Sequence, residues 1–552
     1  MRRRLTAGAV VTATGLAFLT AVPTAATAAP SAAADYTVVA ADGVSAADAA
    51  AAITAAGGTI VTSNDAVGVY RVTSADARFE NKAAASGKLI GASARRAIGY
   101  SPNSVERLET GLNPGSGGKN QHGPAKMDPL DDKLWGLSMI QADKARKIEA
   151  GDHGVTVGIL DTGLDASNPD IAPNYNARLS RNFAPDLTDI DGPCEVASCL
   201  DPTGTDDNGH GTHTAGTIGA AANGVGLSGI APKVSLVELK GGQDSGFFFL
   251  DPVVNALTYA GDHGIDVVNM SFYVDPWLYN CTANPADSPA DQAGQRAIIA
   301  AMRRALEYAH RRNVTLFAAL GNNHEDLGAP RTDISSPDYG GTPYDRPIDN
   351  STCWDLPTEG PHVIGVSALG PSGRKSDFSN YGTEQTSVAA PGGWFRDGFG
   401  TPTFQTVGNE ILSTYPVKVL KEKGLVDADG NITAAGTGSV FKDCTKAGVC
   451  GYYTYLQGTS MASPHAAGVG ALIVSRYGVP DFRTGGKTMW PDLVERQLYR
   501  TAAEHACPDP RLQSYVQEGR STEFDAFCTG NKQFNGFYGF GIVDAYAAVG
   551  GR

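Results

Sequence analysis

Apolar residues fall in short runs along much of this chain, at 155–160, 234–239, 265–271, 314–320 and 362–368. These runs are rich in Val, Ile, Leu and Ala and lack a strict polar alternation, the pattern of strands buried on both faces of a parallel sheet. Segments 253–262 and 297–311 lie between them and read as helices, and another apolar helical run follows Ser460. Strand and helix in alternation predict an α/β fold whose mainly parallel central sheet is covered on both sides.

The N-terminal part is patterned differently. Residues 36–40 read as a strand, 45–56 as an Ala-rich helix stopped by Gly57 and Gly58, and 59–63 and 67–72 as paired strands joined by Asn64, Asp65 and Ala66. This predicts a small α+β domain within 29–100. Ahead of it, Arg2, Arg3 and Arg4 precede a small-residue apolar stretch through Ala21, and Ala26-Thr27-Ala28 offers a cleavage site, so 1–28 reads as a secretory signal peptide. A membrane span is the competing reading, but Thr and Gly interrupt the stretch, Pro23 ends it, and it falls short of the ~20 apolar residues required. Over 101–126 the composition shifts to Pro, Ser, Gly, Asn and Gln, as in a linker open to cleavage. The remaining 127–552 reads as one large domain with insertions at 185–205, 275–295, 327–361 and 393–455. Loops of that length around a cleft usually carry function or specificity.

Export changes how the cysteines are read. Eight of them in a secreted chain argue for disulfides. Cys194 with Cys199 and Cys444 with Cys450 close small loops, leaving Cys281 with Cys353 and Cys507 with Cys528 to complete the set, although spacing alone leaves other pairings open. Acidic residues outnumber basic ones 58 to 44, a formal net charge of −14, which favours solubility and disfavours nucleic acid as a partner. No later segment reads as membrane-spanning.

Three segments carry candidate chemistry. Gly458-Thr459-Ser460-Met461-Ala462-Ser463-Pro464-His465 places a serine on a Gly-led turn at a helix start, where unpaired backbone N–H groups can hold an anion. Asp207-Asn208-Gly209-His210-Gly211-Thr212-His213 sets His210 between glycines at the start of another helix. Asp161-Thr162-Gly163 follows the strand at 155–160, at the sheet edge where open α/β folds gather ligands. Singly, each has a plain alternative. Asp-Thr-Gly also occurs in ordinary corners and in aspartic proteases, His210 and His213 could pair on a metal, and Ser460 could be a helix cap. No further His or Cys cluster and no His-Glu-x-x-His pattern supports zinc.

Together, in the order Asp, His, Ser, these boxes resemble the subtilisin-like serine proteases, or subtilases. The resemblance implies a three-layer subtilisin-like fold with Ser460 as nucleophile, His210 as general base and then acid, and Asp161 as the buried carboxylate that orients the imidazole. His213 and His465 would be structural. A fourth box fits: the run at 314–320 ends in Gly321-Asn322, and in this family the Asn donates its amide to the oxyanion, which points to Asn322. The competing classes are a catalytically dead peptide-binding relative, which would usually lack a box, and a triad esterase or transpeptidase, which would use other motifs such as Gly-x-Ser-x-Gly.

The resemblance also assigns further residues. Substrate would add as a strand between Ser271-Phe272-Tyr273 with Gly321 on one side and Ser245-Gly246-Phe247 on the other. The aromatic Phe272 and Tyr273 stand where the family usually has Leu-Gly, and the expectation is apolar side chains upstream of the cut. No cofactor is needed for the chemistry. A structural calcium would be held by Asp131, Asp170 and Asn223 with carbonyls of Ala221, Val225 and Leu227. The domain at 29–100 resembles the family's inhibitory propeptides, so the expectation is a secreted, monomeric zymogen that processes itself within 101–126 and acts on proteins or peptides. Because the base must be a neutral imidazole, activity should favour neutral to alkaline pH.

Overall fold

The computed structural model describes residues 33–94, 128–329, 332–338 and 343–551. The expected signal peptide at 1–28 and linker at 101–126 lie outside the described residues.

The N-terminal unit contains β1 (Ala34–Ala40), α1 (Ala46–Ala56), β2 (Thr59–Asn64), β3 (Val69–Ser74), α2 (Phe79–Ala84) and β4 (Leu89–Ala94). Ser45 caps α1 by accepting the Asp48 amide at 3.1 Å, and Gly57 ends it at φ +97°, a conformation that favours glycine. The antiparallel sheet runs in the order β2-β3-β1-β4. Val38, Ile53, Val72 and Phe79 form its core. Helix α2 and strand β4 have no clear counterpart in the sequence pattern, because both are short and Ala-rich.

The large domain is built on a seven-stranded sheet. Its elements are β5 (Thr156–Asp161), β6 (Arg181–Asn182), α3 (His210–Gly219), β7 (Ser235–Lys240), α4 (Leu250–His263), β8 (Val267–Met270), α5 (Pro289–His310), β9 (Thr315–Ala319), β10 (Val363–Leu369), β11 (Val388–Pro391) and α6 (Thr459–Tyr477). The strand order is β11-β10-β9-β8-β5-β7-β6, every neighbouring pair is parallel, and helices pack on both faces as the alternation predicted. Helix α5 starts eight residues earlier than its apolar pattern, because Ser288 caps it ahead of Pro289, the usual start signal. Helix α6 is buried along nearly its whole length. A Cβ on Gly470 would stand 2.7 Å from the Phe317 ring, so this glycine lets α6 press against β9.

The N-terminal sheet lies on α4 and α5. Arg304 donates to the carbonyls of Ala40 at 2.9 Å and Val67 at 3.1 Å, and Asn64 reaches Asn255 at 2.9 Å and Thr258 at 2.8 Å. A Cβ on Gly91 would meet the Ala293 carbonyl at 2.6 Å, so β4 can come this close to α5 only with glycine there. Disulfides join Cys194–Cys199, Cys281–Cys353, Cys444–Cys450 and Cys507–Cys528, the pairs expected. The insertion at 393–455 holds most of a three-stranded antiparallel sheet, Ile411–Thr414, Val440–Cys444 and Cys450–Leu456.

Candidate active site

Three neighbouring strands finish abreast. Leu160 pairs in register with Met270, and Met270 with Ala318, so Asp161, Ser271 and the Gly321-Asn322 turn all emerge at one carboxyl edge. Asp161 is fully buried, and its Oδ1 lies 2.7 Å from His210 Nδ1. Burial pushes this carboxyl above the usual carboxylate range, while the imidazole and the Thr162 amide, 2.8 Å away, favour its ionised form. The approach of α3 to β5 depends on Gly211, where a Cβ would stand 2.1 Å from the Gly163 carbonyl oxygen.

Ser460 lies in the first turn of α6. Its Oγ donates to the Ser271 carbonyl at 3.3 Å, and Ser271 Oγ donates back to the Ser460 carbonyl at 3.0 Å. Asn322 accepts from Thr459 N at 2.8 Å and Thr459 Oγ1 at 2.9 Å through Oδ1, which orients its amide nitrogen toward Gly458. A Cβ on Gly458 would stand 3.5 Å from Asn322 Nδ2 and 3.6 Å from Ser460 N. Two N–H donors therefore flank one small space beside Gly458, at the start of the helix that carries Ser460, an arrangement of the kind that holds an oxyanion. His213 bonds the Ile411 carbonyl at 3.0 Å and His465 the Met461 carbonyl at 2.8 Å. Burial lowers His465 to about 4, so it stays neutral and structural.

The two segments expected to flank substrate are more crowded than the sequence suggests. Phe272 stacks on Phe248, centroids 4.0 Å apart and planes 4° from parallel. Tyr273 is pinned by its hydroxyl to Asp338. On the opposite rim, Gly246 N donates to Gln243 O at 2.9 Å and Gln243 N to Phe247 O at 2.8 Å, with Gly246 at φ +90°. Ser245 and Gly246 thus form a tight turn, anchored by Asp191 Oδ1 to Ser245 N at 3.0 Å and Oγ at 2.8 Å. Phe247 is buried.

The calcium set is brought together only in part. Asp131 does not join it: its carboxylate accepts Ser228 N at 2.8 Å and Ser228 Oγ at 2.6 Å and faces Arg146 at 3.8 Å. Asp170 and Asn223 do meet, 3.2 Å apart, and Ala221 N donates to the Asp170 carbonyl at 2.7 Å. Val225 N is bound to Asn223 Oδ1 and Leu227 N to Asp170 Oδ2, each at 2.9 Å. The second acid at this loop is Asp128, which accepts the Gly224 amide and whose Oδ2 is buried without a partner among the described residues. Burial raises Asp170 to about 7, with Asp128 adding repulsion. An orphaned buried carboxylate oxygen beside a second acid fits a cation, with Asp128 in place of Asp131.

Three supporting residues escaped the sequence reading. Asp206 holds the start of α3 by accepting from Gly209 N at 2.8 Å, Thr212 N at 2.9 Å and Thr162 Oγ1 at 3.0 Å. Asn269 accepts from Ser463 Oγ at 2.7 Å and donates to Ser271 Oγ at 3.0 Å, tying α6 to β8. Thr459 orients Asn322. The available signals were an Asp four residues ahead of a helix and an Asn inside an apolar strand, where a buried amide needs partners.

Comparison with known proteins agrees with this geometry. The model of the subtilase family, peptidase S8, matches residues 152–541. Subtilisin DY of Bacillus licheniformis is 29% identical over 343 residues, 62% of this chain and 85% of that protein. Fervidolysin of Fervidobacterium pennivorans is 28% identical over 63% of this chain but only 39% of its own length. Among solved structures, the epidermin leader peptide processing protease of Staphylococcus aureus superposes with a TM-score of 0.60 at 19% identity, over 94% of this chain and 98% of that one. Fervidolysin superposes with a TM-score of 0.55 at 21% identity, over 94% of this chain and 61% of the other. With a family match across most of its length and the subtilisin-like three-layer fold, this chain belongs to the subtilase family of serine-type endopeptidases, whose chemistry needs no cofactor.

Proposed function

We propose that the chain is a secreted, self-processed endopeptidase in which Ser460, His210 and Asp161 act as a triad. The observation that supports this most is the adjacency of two half-sites on neighbouring strand ends: Asp161 bound to His210 on β5, and Ser460 bound to Ser271 beyond β8. Ser460 Oγ attacks the substrate carbonyl while His210 takes its proton. Asn322 Nδ2 and Ser460 N receive the oxyanion, and His210 returns the proton to the leaving amine. Water then hydrolyses the acyl-enzyme. Substrate is an extended peptide held between the Ser271-Phe272-Tyr273 and Ser245-Gly246-Phe247 rims.

The unit spanning 34–94 is read as the propeptide. It covers α4 and α5, and the end of β4 at Ser93 and Ala94 shares a cavity with Phe249, Asp275 and Pro276, which follow closely on the two rims in sequence. The disulfides and the leader pattern at 1–28 support export, and the monomeric state is part of the same reading. Full-length chain bearing Ser460→Ala should stay uncleaved between residues 94 and 128 while the parent releases its N-terminal unit. Release from the variant with no other protease present would sink self-processing.

Calcium is proposed at the loop after α3, held by Asp170, Asp128, Asn223 and the carbonyls of Ala221, Val225 and Leu227. It would neutralise buried acids and so stabilise the fold without entering the reaction. EDTA should lower the Tm and added calcium restore it. An unchanged Tm in EDTA would remove the site.

A further inference from the structure

The segment after Cys353 closes the space between the two walls of the cleft. Cys353–Trp354 pairs antiparallel with Asn280–Cys281, and the Cys281–Cys353 disulfide locks the pair. The next residues reach both walls. Leu356 O accepts from Val274 N at 2.9 Å, just beyond Ser271-Phe272-Tyr273, and Thr358 Oγ1 donates to Ala319 O at 2.6 Å, just before Gly321. Asp355 is therefore carried on a floor slung between these walls. Its Oδ2 lies 3.4 Å from where a Cβ on Gly321 would stand.

This carboxylate is 3% exposed, and among the described residues no group donates a hydrogen bond to it; the bonds of Asp355 are made by its backbone, whose N–H donates to the Glu359 carboxylate at 2.6 Å and whose carbonyl accepts the Glu359 amide at 2.7 Å. Glu359 and Asp333 add negative charge nearby, and burial with them pushes the Asp355 carboxyl well above the usual range. The Tyr279 hydroxyl, whose ionisation Asp355 opposes, is likewise buried and unpartnered among the described residues. Three other buried acids have cations: Asp287 and Asp333 are matched by Arg346, and Asp201 by Lys240. Leaving a buried carboxylate unmatched is unfavourable unless something else supplies the counter-charge.

We infer that Asp355 selects arginine or lysine as the substrate residue immediately before the cut. The inference rests on the endopeptidase reading above. The attacked carbonyl must lie between Ser460 Oγ and Asn322 Nδ2, so the side chain one bond away enters beside Gly321, between the walls that Asp355 underlies. A guanidinium or ammonium there brings both the charge and the donors that the carboxylate and the tyrosine lack. The apolar preference expected from the aromatic residues shifts further upstream, to the surface of the stacked Phe248 and Phe272.

The test is a set of fluorogenic peptides that differ only at the residue before the cut, read as kcat/KM on self-processed enzyme. Active Ser460 is counted with a serine-directed phosphonyl reagent. Arg and Lys peptides should exceed the Phe peptide, and Asp355→Asn should lower kcat/KM for Arg by about 10²-fold while leaving Phe cleavage within a few-fold. A parent enzyme that prefers Phe, or an Arg-to-Phe ratio unmoved by Asp355→Asn, overturns the inference. If Ser460 fails to label, the endopeptidase reading is what fails. The pocket is then judged by benzamidine, an arylamidinium cation, which should raise the Tm of the parent and not of Asp355→Asn; an equal effect on both overturns the inference.

Discussion

Asp161→Asn should lower kcat by about 10⁴-fold with little change in KM. The carboxylate has one task that no neutral isostere performs. At 2.7 Å from His210 Nδ1 it favours the ring proton on Nδ1, and in the proposed triad this makes Nε2 the acceptor of the serine proton and places the carboxylate to stabilise the imidazolium formed during attack. An asparagine turned to present its amide nitrogen would reverse that tautomer. Because Asp161 is fully buried, solvent cannot substitute for the lost charge. The Thr162 amide and Gly211 would still hold the local backbone, so the fold should survive and binding should persist. The variant needs an added protease to free its N-terminal unit, after which steady-state kinetics on a peptide substrate give the comparison. A loss under tenfold would remove Asp161 from the reaction.

Arg346→Met should destabilise the large domain by about 3–5 kcal/mol, measured as a shift in the denaturation midpoint. The Arg346 side chain is wholly buried. It grips Asp287 through Nε at 2.9 Å and Nη2 at 3.0 Å, Asp333 through Nη1 at 2.7 Å, and Gln295 at 2.9 Å. Its guanidinium also lies 4.5 Å from the centre of the Trp277 ring. Removing the cation leaves two buried carboxylates facing each other. Adding Asp287→Asn and Asp333→Asn to Arg346→Met should recover most of the loss, because the penalty comes from unmatched charge rather than from missing packing. If the triple variant is no more stable than the single one, the charge argument fails. The same cluster joins the insertions at 275–295 and 327–361, which carry the floor beneath Gly321, so the single variant should also blur selectivity at the residue before the cut.

The catalytic boxes were legible because each is a short local pattern at a strand end or helix start, and the strands between them showed as unbroken apolar runs. Short spacing suggested the Cys194–Cys199 and Cys444–Cys450 pairs, whereas Cys281–Cys353 and Cys507–Cys528 were decided by the fold, which brings distant cysteines together. Crowding at the rims was harder to see: Phe248 and Phe272 are 24 residues apart in the chain, and only the fold stacks them. The loop after α3, where calcium is proposed, shows the same limit. Asp128 and Asp131 are three positions apart and look equivalent in sequence, but Arg146 and Ser228, brought in from elsewhere, take Asp131 and leave Asp128 with an unused oxygen.

By itself, the sequence determined the α/β class, the order of the Asp, His, Ser and Asn boxes and the α+β pattern of the N-terminal unit, since periodicity and motif spacing are properties of neighbouring residues. Only the tertiary structure decided which acid near the loop after α3 keeps an unused oxygen, how Phe248 and Phe272 stack, and that Asp355 lies unmatched beneath the cleft. Those outcomes depend on which distant side chains arrive to neutralise or fill a given space, and a buried charge is defined by its surroundings rather than by its place in the chain.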